Sequence, residues 1–473
     1  MSAPASTTAT ASGAAAGLGS FYRQQLHWTS CGSGFQCSRL LVPVDYARPG
    51  GATMHIAVIR KPAGGVARGS LIVNPGGPGA SGVDYLRGSS STFTGVSSSF
   101  NLVSFDPRGV GRSRPIRCES GPQLDAFVAV DPTPDTVAEH AALVRSSRAF
   151  AAACYRRNGN YLEHVGTIDA ARDMDVLRAA VGDRKLTFYG GSYGTYLGAK
   201  YAQLFPRRIR AMVLDGALDP RQPTAAENRV QALGFETDLR DFLANCVHSS
   251  SCPFPSSDAQ GGLDRLQARI DAHPLAVGSR HLGPGEFFEG LALGLYSTSY
   301  WSTLRRALGD AENGDGRLLL AFSDALTERH QDGSYTNLIE SNLAINCIDR
   351  PSPRDVSAYD AAARDFAKVA PHFGEPIAYG SLPCAFWKVP PIEQAHAVTA
   401  DGAPPIVVIG TTRDPATPYV WAKALARQLS SGVLVTYDSD GHTAYEHGNS
   451  CIVGAVNAYL NRLVVPRNGL RCG

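Results

Sequence analysis

The sequence predicts an α/β fold: a mostly parallel sheet with helices on both faces, interrupted by an inserted helical lid domain. Three observations predict it. Short, fully apolar runs alternate with helical patterns, which is typical of parallel strands buried on both faces. Such runs are missing between residues 221 and 395, where helical patterns follow one another. A glycine-flanked serine, Ser192, stands between an apolar run and a helical run.

The individual elements follow from local pattern. Apolar, β-prone runs predict strands at 38–44, 53–61, 70–74, 100–105, 186–189, 209–215, 405–410 and 433–437. Helical periodicity predicts helices at 131–154, 167–181, 225–246, 263–272, 285–296, 302–309, 318–326 and 451–463. The chain thus divides into a flexible N-terminal linker (1–19), a first part of the core (20–220), a helical lid (221–395) and a C-terminal part of the core (396–473).

Composition limits the classes of function. The net charge of +2 provides no basic field for nucleic acid, and no apolar run approaches the roughly 20 residues that a membrane span needs. Residues 1–19 are rich in Ala, Ser, Thr and Gly and lack the regions of a signal peptide, so we expect a linker. We expect a monomer with no nucleic-acid partner and no transmembrane segment in this chain.

The ten cysteines indicate disulfides. No C-x-x-C motif occurs, and no cysteine pair has a matching histidine pair at zinc spacing. Sequence alone leaves the connectivity open, and the expected pairing joins neighbours: 31–37, 118–154, 246–252, 347–384 and 451–472. Disulfides imply an oxidising compartment, so we expect a secreted or cell-envelope protein whose signal segment lies outside this sequence.

The chemistry centres on Ser192. Gly190 and Gly194 complete a G-x-S-x-G motif between strand and helix, which is the nucleophile elbow of α/β-hydrolases. A serine hydroxyl needs a base and a group that orients the base, in the chain order Ser, acid, His. Asp414 follows the strand at 405–410, and His442 follows the strand at 433–437. All three lie at carboxyl ends of predicted parallel strands, where open α/β sheets bind ligands.

Alternatives remain for two of these roles. His447 competes with His442 as the base. Asp438 and Asp440 are alternative acids, although both stand too near His442 in sequence to reach its far ring nitrogen easily.

An oxyanion hole requires backbone N–H groups near the nucleophile. Tyr193 supplies the first, and the loop after the strand at 70–74 supplies the second. Pro78 has no N–H, so Gly77 is the candidate and Gly76 the alternative. In the motif at 106–113, we expect Asp106 and Arg108 to brace the loop as an internal pair rather than take part in catalysis.

Five motifs occur in order: NPGGPGASG, FDPRGVGRS, YGGSYGTYLG, GTTRDPATP and DGH. Together they resemble the secreted actinobacterial tripeptidyl aminopeptidases, in the prolyl-aminopeptidase-like branch of α/β-hydrolase serine peptidases. The resemblance implies Ser192 as nucleophile, Asp414 as acid and His442 as base. It also implies an enzyme that removes short N-terminal pieces from peptides through an acyl-enzyme, with no metal or organic cofactor.

Such an enzyme must bind a free α-ammonium group, and a lid carboxylate is suited to this. The candidates are Asp349, Glu340 and Glu227. Two alternative functions remain: an esterase or lipase on the same scaffold, and a non-catalytic binding module.

Overall fold

The computed structural model describes residues 17–473 and centres on a 10-stranded sheet. Its strand order is β1-β2-β3-β5-β4-β6-β7-β10-β11-β12, and β8 and β9 form a separate two-stranded hairpin. The strands are β1 Thr29–Ser30, β2 Gln36–Pro43, β3 Thr53–Lys61, β4 Ser70–Asn74, β5 Asn101–Phe105, β6 Leu186–Gly191, β7 Ile209–Asp215, β8 Leu275–Val277, β9 Arg280–Leu282, β10 Ile406–Arg413, β11 Gly432–Asp440 and β12 Leu470–Cys472.

Helices cover both faces of the sheet. They are α1 Gly19–Arg23, α2 Gly82–Ser89, α3 Thr94–Ser97, α4 Gly121–Val128, α5 Val137–Asn158, α6 Thr167–Ala180, α7 Tyr193–Leu204, α8 Thr224–Cys246, α9 Ala259–Ala272, α10 Pro284–Leu295, α11 Trp301–Glu312, α12 Arg317–Leu326, α13 Leu338–Asp349, α14 Val356–Ala367, α15 Gly374–Gly380, α16 Tyr419–Gln428 and α17 Ser450–Arg462.

The sheet is mostly parallel, as the sequence predicts. From β5 through β4, β6, β7, β10 and β11 to β12, every neighbouring pair is parallel. The strands β1, β2 and β3 form an antiparallel edge that joins β5. All five residues of β4 are buried, and they alternate between two hydrophobic clusters: Ile72 faces the side of α6 and α7, whereas Leu71 and Val73 face the side of α2 and α17. Because the strands from β5 to β12 in the sheet order run parallel, their carboxyl ends meet at one edge of the sheet.

The insertion between β7 and β10 carries helices α8–α15. Its α8–α12 portion has a hydrophobic cluster of its own, built around residues such as Phe242, Leu263 and Leu304. By contrast, Ala344 and Ile348 of α13 pack into the main cluster of the sheet. The division of the chain into a linker, a core and a lid remains a proposal.

The prediction that the insertion lacks strands is wrong, because β8 and β9 pair as a hairpin there. Each strand has only three residues around Gly278 (φ 63°), which is too short for alternation to show. Helix α5 begins six residues later than the pattern at 131–154 suggests. It starts where Thr136 and Glu139 form a capping box. The sequence pattern predicts neither helices α1–α4 and α13–α16 nor strands β1 and β12. Residues 1–16 of the expected linker lie outside the described residues.

All ten cysteines form disulfides, and the expected pairing is confirmed. The bonds join Cys31–Cys37, Cys118–Cys154, Cys246–Cys252, Cys347–Cys384 and Cys451–Cys472. One of them fixes α13 to the segment after α15, and another fixes the start of α17 to β12. Over residues 17–473, no helix is both long and apolar enough to cross a membrane.

Arg108 braces the loop after β5, but its partner is Asp173 of α6 and not Asp106, the partner expected from the sequence. Asp106 instead accepts from Ser81 and from the N–H groups of Val83 and Arg112. The Arg108 guanidinium is fully buried and donates to both carboxylate oxygens of Asp173 at 2.7 Å. It also donates to the carbonyls of Val44, His164 and Pro43. Burial raises the pKa of Asp173, and the neighbouring Arg108 opposes that rise.

Replacing Arg108 with Met is expected to lower the free energy of unfolding by about 3–5 kcal/mol, because the buried Asp173 loses its counter-charge. Urea unfolding followed by circular dichroism measures this change. Arg48→Met, which breaks an exposed ion pair with Asp45, is the matched control and should change little. Equal stability of Arg108→Met and the wild type would contradict the bracing role.

Candidate active site

Ser192 lies at a sharp turn between β6 and α7. Its backbone has φ 55° and ψ −128°, a strained conformation for a residue with a side chain. A methyl group on Gly190 would lie 2.3 Å from the Gly194 carbonyl oxygen, and one on Gly194 would lie 2.7 Å from the Asn74 carbonyl oxygen. Both clashes are with backbone, so the tight turn requires both glycines. Ser192 borders a cavity of about 510 Å³.

Asp414 and His442 come together at the ends of β10 and β11. The His442 Nδ1 atom lies 2.9 Å and 3.0 Å from the two carboxylate oxygens of Asp414. The Asp414 side chain is fully buried and also accepts hydrogen bonds from the backbone N–H groups of Ala416, Thr417 and Thr443. These donors hold the carboxylate in one orientation toward the imidazole.

The electrostatic setting makes His442 a stronger base than an ordinary histidine. Burial of the ring disfavours its charged form, but the charge and hydrogen bond of Asp414 outweigh burial and raise the pKa of His442 above 6.5. The Tyr296 ring packs edge-on against the imidazole at a centroid distance of 5.2 Å, and the Tyr296 carbonyl accepts from the His442 N–H at 2.8 Å.

The alternative residues have other partners. His447 Nε2 lies 2.9 Å from the His442 carbonyl oxygen. It thereby supports the main chain of the loop after β11 that carries His442, called the histidine loop. Asp438 and Asp440 both pair with Arg413. None of the three therefore takes the place of Asp414 or His442 in this arrangement.

Strand β7 joins the elbow to the histidine loop. The Ser192 N–H donates to the Asp215 carbonyl at 2.9 Å, while the Asp215 side chain accepts from the N–H groups of Ala444 and Tyr445. A methyl group on Gly216 would lie 3.3 Å from His442 Cε1. Within residues 17–473, no direct hydrogen bond joins Ser192 to His442. In serine hydrolases this hydrogen bond is often long without substrate and shortens when substrate binds.

The loop after β4 supports the predicted oxyanion donors. The Gly76 N–H is engaged by the Asn74 side chain at 3.1 Å. Among the described residues the Gly77 N–H donates to no other group, and Gly77 borders the cavity beside Ser192 and Tyr193. The Tyr193 N–H is the first of α7 and has no intrahelical acceptor. Gly77 therefore remains a better candidate than Gly76.

The three carboxylates predicted to bind the substrate ammonium differ in position. Glu340 does not border the cavity: it is fully buried and accepts from the N–H groups of Cys118 and Glu119. Asp349 borders the cavity but accepts from the Thr167 N–H at 2.7 Å, and burial raises its pKa to about 6. Glu227 also borders the cavity.

The Glu227 carboxylate is held in a two-point ion pair by Arg350. The geometry therefore leaves Glu340 out of the cavity, and it gives Asp349 and Glu227 partners within the protein.

Sequence reasoning missed three residues of this site. Thr417 donates to Asp414 at 2.9 Å and lies 3.2 Å from His442 Nδ1. Tyr296 and Glu289 belong to the segment of α10 that borders the cavity. Thr417 stands three positions after the predicted acid, and Glu289 is one of two carboxylates in an otherwise apolar helical pattern. Both signals were present in the sequence.

Curated relatives cover nearly the whole chain. The serine protease Hip1 of Mycobacterium tuberculosis is 40% identical over 95% of this chain and 91% of its own length. A tripeptidyl aminopeptidase of Streptomyces lividans is 31% identical over 95% of this chain and 87% of its own. A family model described as TAP-like protein matches residues 370–472. The chain belongs to the TAP-like family of serine hydrolases.

Other proteins similar to this TAP-like chain are named for different activities. A carboxylesterase B of Mycobacterium tuberculosis is 38% identical over 92% of this chain and 86% of its own length. Among solved structures, a proline iminopeptidase of Mycobacterium smegmatis covers 90% of this chain and 98% of its own, at 13% identity and a TM-score of 0.40. The TAP-like chain has the α/β-hydrolase fold, with a mostly parallel sheet and a helical insertion between β7 and β10.

Proposed function

We propose that this serine hydrolase is an exopeptidase that releases short peptides, tripeptides or units ending in proline, from free N-termini. The observation that carries the proposal is the pairing of Asp414 with His442 beside a cavity that Ser192 borders and carboxylates line. A carboxylate-lined cavity suits a substrate with a positive end. The resemblance to tripeptidyl aminopeptidases and the Streptomyces lividans relative support the same activity.

The proposed roles follow from the geometry. Ser192 Oγ attacks the scissile carbonyl while His442 takes its proton, and Asp414 stabilises the imidazolium that forms. The N–H groups of Gly77 and Tyr193 hold the oxyanion. His442 then gives the proton to the leaving amine, which leaves the short peptide as an ester on Ser192. Water, deprotonated by His442, hydrolyses this ester. No residue in the scheme requires a metal or organic cofactor.

We propose further that the insertion acts as the lid and decides which acyl group reaches Ser192. The boundaries expected for it are 221–395. Five disulfides fit a secreted or cell-envelope protein, because such bonds persist in oxidising compartments.

The second candidate is an esterase, and the carboxylesterase B relative is the observation in its favour. An acyl ester has no cationic end. An esterase therefore has no use for Glu289, the cavity carboxylate that has no hydrogen-bond or ion-pair partner among residues 17–473, and this favours the peptidase.

The two candidates separate in one assay. We expect the enzyme to hydrolyse an unblocked tripeptidyl anilide at least about 100-fold faster, by kcat/KM, than its N-acetyl counterpart, because acetylation removes the ammonium charge. Short-chain p-nitrophenyl esters serve as the comparison. Equal rates on blocked and unblocked peptides, or activity on esters alone, would reject the exopeptidase.

A further inference from the structure

Helix α10 borders the cavity along its whole length. The residues that line it lie on one helical face: Gly285, Phe288, Glu289, Ala292 and Tyr296, the last at the C-cap. Tyr296 contacts His442 through both its ring and its carbonyl. The helix therefore runs from the proposed catalytic base toward the far end of the cavity.

Glu289 is the one cavity carboxylate without a partner in residues 17–473. Glu227 is paired with Arg350, and Asp349 accepts from Thr167. No hydrogen bond or ion pair engages Glu289 in the described chain, and Glu289 borders the cavity. Burial alone raises its pKa to about 7, so its charged form lacks a stabilising group.

We propose that Glu289 binds the α-ammonium group of the substrate and so sets the length of the peptide released. The inference rests on the proposed exopeptidase function and assigns the specificity of the same site. A substrate ammonium would supply a cation with three N–H donors to this half-buried carboxylate, which has no partner among residues 17–473. Charge-assisted hydrogen bonds of this kind are strong where water is excluded.

The spacing along α10 matches a tripeptide. Glu289 precedes Tyr296 by seven residues, which is about 10 Å along a helix axis at roughly 1.5 Å per residue. An extended tripeptide spans about 10 Å from its α-nitrogen to its third carbonyl carbon, at roughly 3.4 Å per residue.

Glu289→Gln tests the assignment, because glutamine keeps the size of the side chain and removes its charge. We expect kcat/KM for an unblocked tripeptidyl anilide to fall about 100-fold, while kcat/KM for the N-acetyl counterpart changes less than about threefold. Wild-type preference for tripeptidyl over dipeptidyl and tetrapeptidyl anilides should disappear in the variant.

The matched control is Glu312→Gln. Glu312 also lies on a helix of the insertion, but it pairs with Arg269 outside the cavity. We expect Glu312→Gln to keep the wild-type preference for unblocked tripeptides. The labelling rate of Ser192 by a neutral fluorophosphonate probe and the melting temperature report whether each variant is folded.

Two failures are distinguishable. A wild type that does not prefer unblocked peptides rejects the exopeptidase itself. A wild type that prefers them, together with a Glu289→Gln variant that keeps the preference, rejects only the role of Glu289. If Glu289→Gln does not fold, Glu289→Asp replaces it: the shorter carboxylate should lower kcat/KM about tenfold on the unblocked substrate alone, and an unchanged value overturns the assignment.

Discussion

Ser192→Ala is expected to abolish turnover of an unblocked tripeptidyl anilide and leave the protein folded. Loss of the nucleophile lowers kcat by on the order of a millionfold in serine peptidases. The fold should survive because alanine keeps the Cβ atom, and the Ser192 N–H bond to Asp215 is a backbone contact. Stopped assays over many hours and circular dichroism with thermal melting measure the two outcomes.

Ser357→Ala is the control for this substitution. Ser357 is exposed on α14 and far from the cavity lining. We expect wild-type rates and the wild-type melting temperature for Ser357→Ala. Substantial turnover by Ser192→Ala, above about one part in a thousand of the wild-type kcat, would mean that another residue is the nucleophile.

Asp414→Asn should lower kcat/KM by about 10⁴, because the amide neither fixes the imidazole tautomer nor stabilises the imidazolium. It should also move the acid limb of the pH profile. The negative charge of Asp414 raises the pKa of His442 against the opposing effect of burial. Removing that charge lowers the pKa, so the neutral base persists to lower pH and the limb shifts downward.

The pH dependence of Ser192 labelling by a neutral fluorophosphonate probe measures this shift without interference from a substrate amine. The melting temperature should also fall, because Asp414 accepts backbone N–H bonds from Ala416, Thr417 and Thr443. Asp438→Asn is the matched control, since Asp438 pairs with Arg413 and Arg471 away from the imidazole. An acid limb that stays in place in Asp414→Asn, or moves upward, would contradict the account.

The parallel sheet could be predicted because its strands are buried on both faces and their sequences are continuously apolar. The run at 70–74 is a clear example: every residue of β4 is buried. The hairpin of β8 and β9 could not be predicted, since each strand is too short for periodicity to show. Helix α13 was missed because none of its residues is exposed and its polar residues include buried ones such as Glu340, so it shows no alternation between an apolar face and a solvated face.

The candidate catalytic residues could also be located from the sequence, because they follow predicted strands. Ser192, Asp414 and His442 each follow a recognisable strand, and parallel strands bring their carboxyl ends to one edge. The carboxylate proposed to bind the substrate ammonium could not be chosen from sequence, because its availability depends on contacts distant in the chain. Glu340 accepts a hydrogen bond from the backbone N–H of Cys118, which is 222 residues away in sequence. Glu227 forms an ion pair with Arg350, which is 123 residues away. Glu289 differs from both by lacking such a partner in the described chain.

The most direct measurement is the mass spectrum of a linear peptide of about ten residues after incubation with the wild-type enzyme, once with a free N-terminus and once acetylated. The account predicts release of the N-terminal tripeptide from the free peptide, followed by further shortening in steps of three residues. It predicts no release from the acetylated peptide. Internal cleavage, removal of single residues, or equal digestion of both peptides would contradict it.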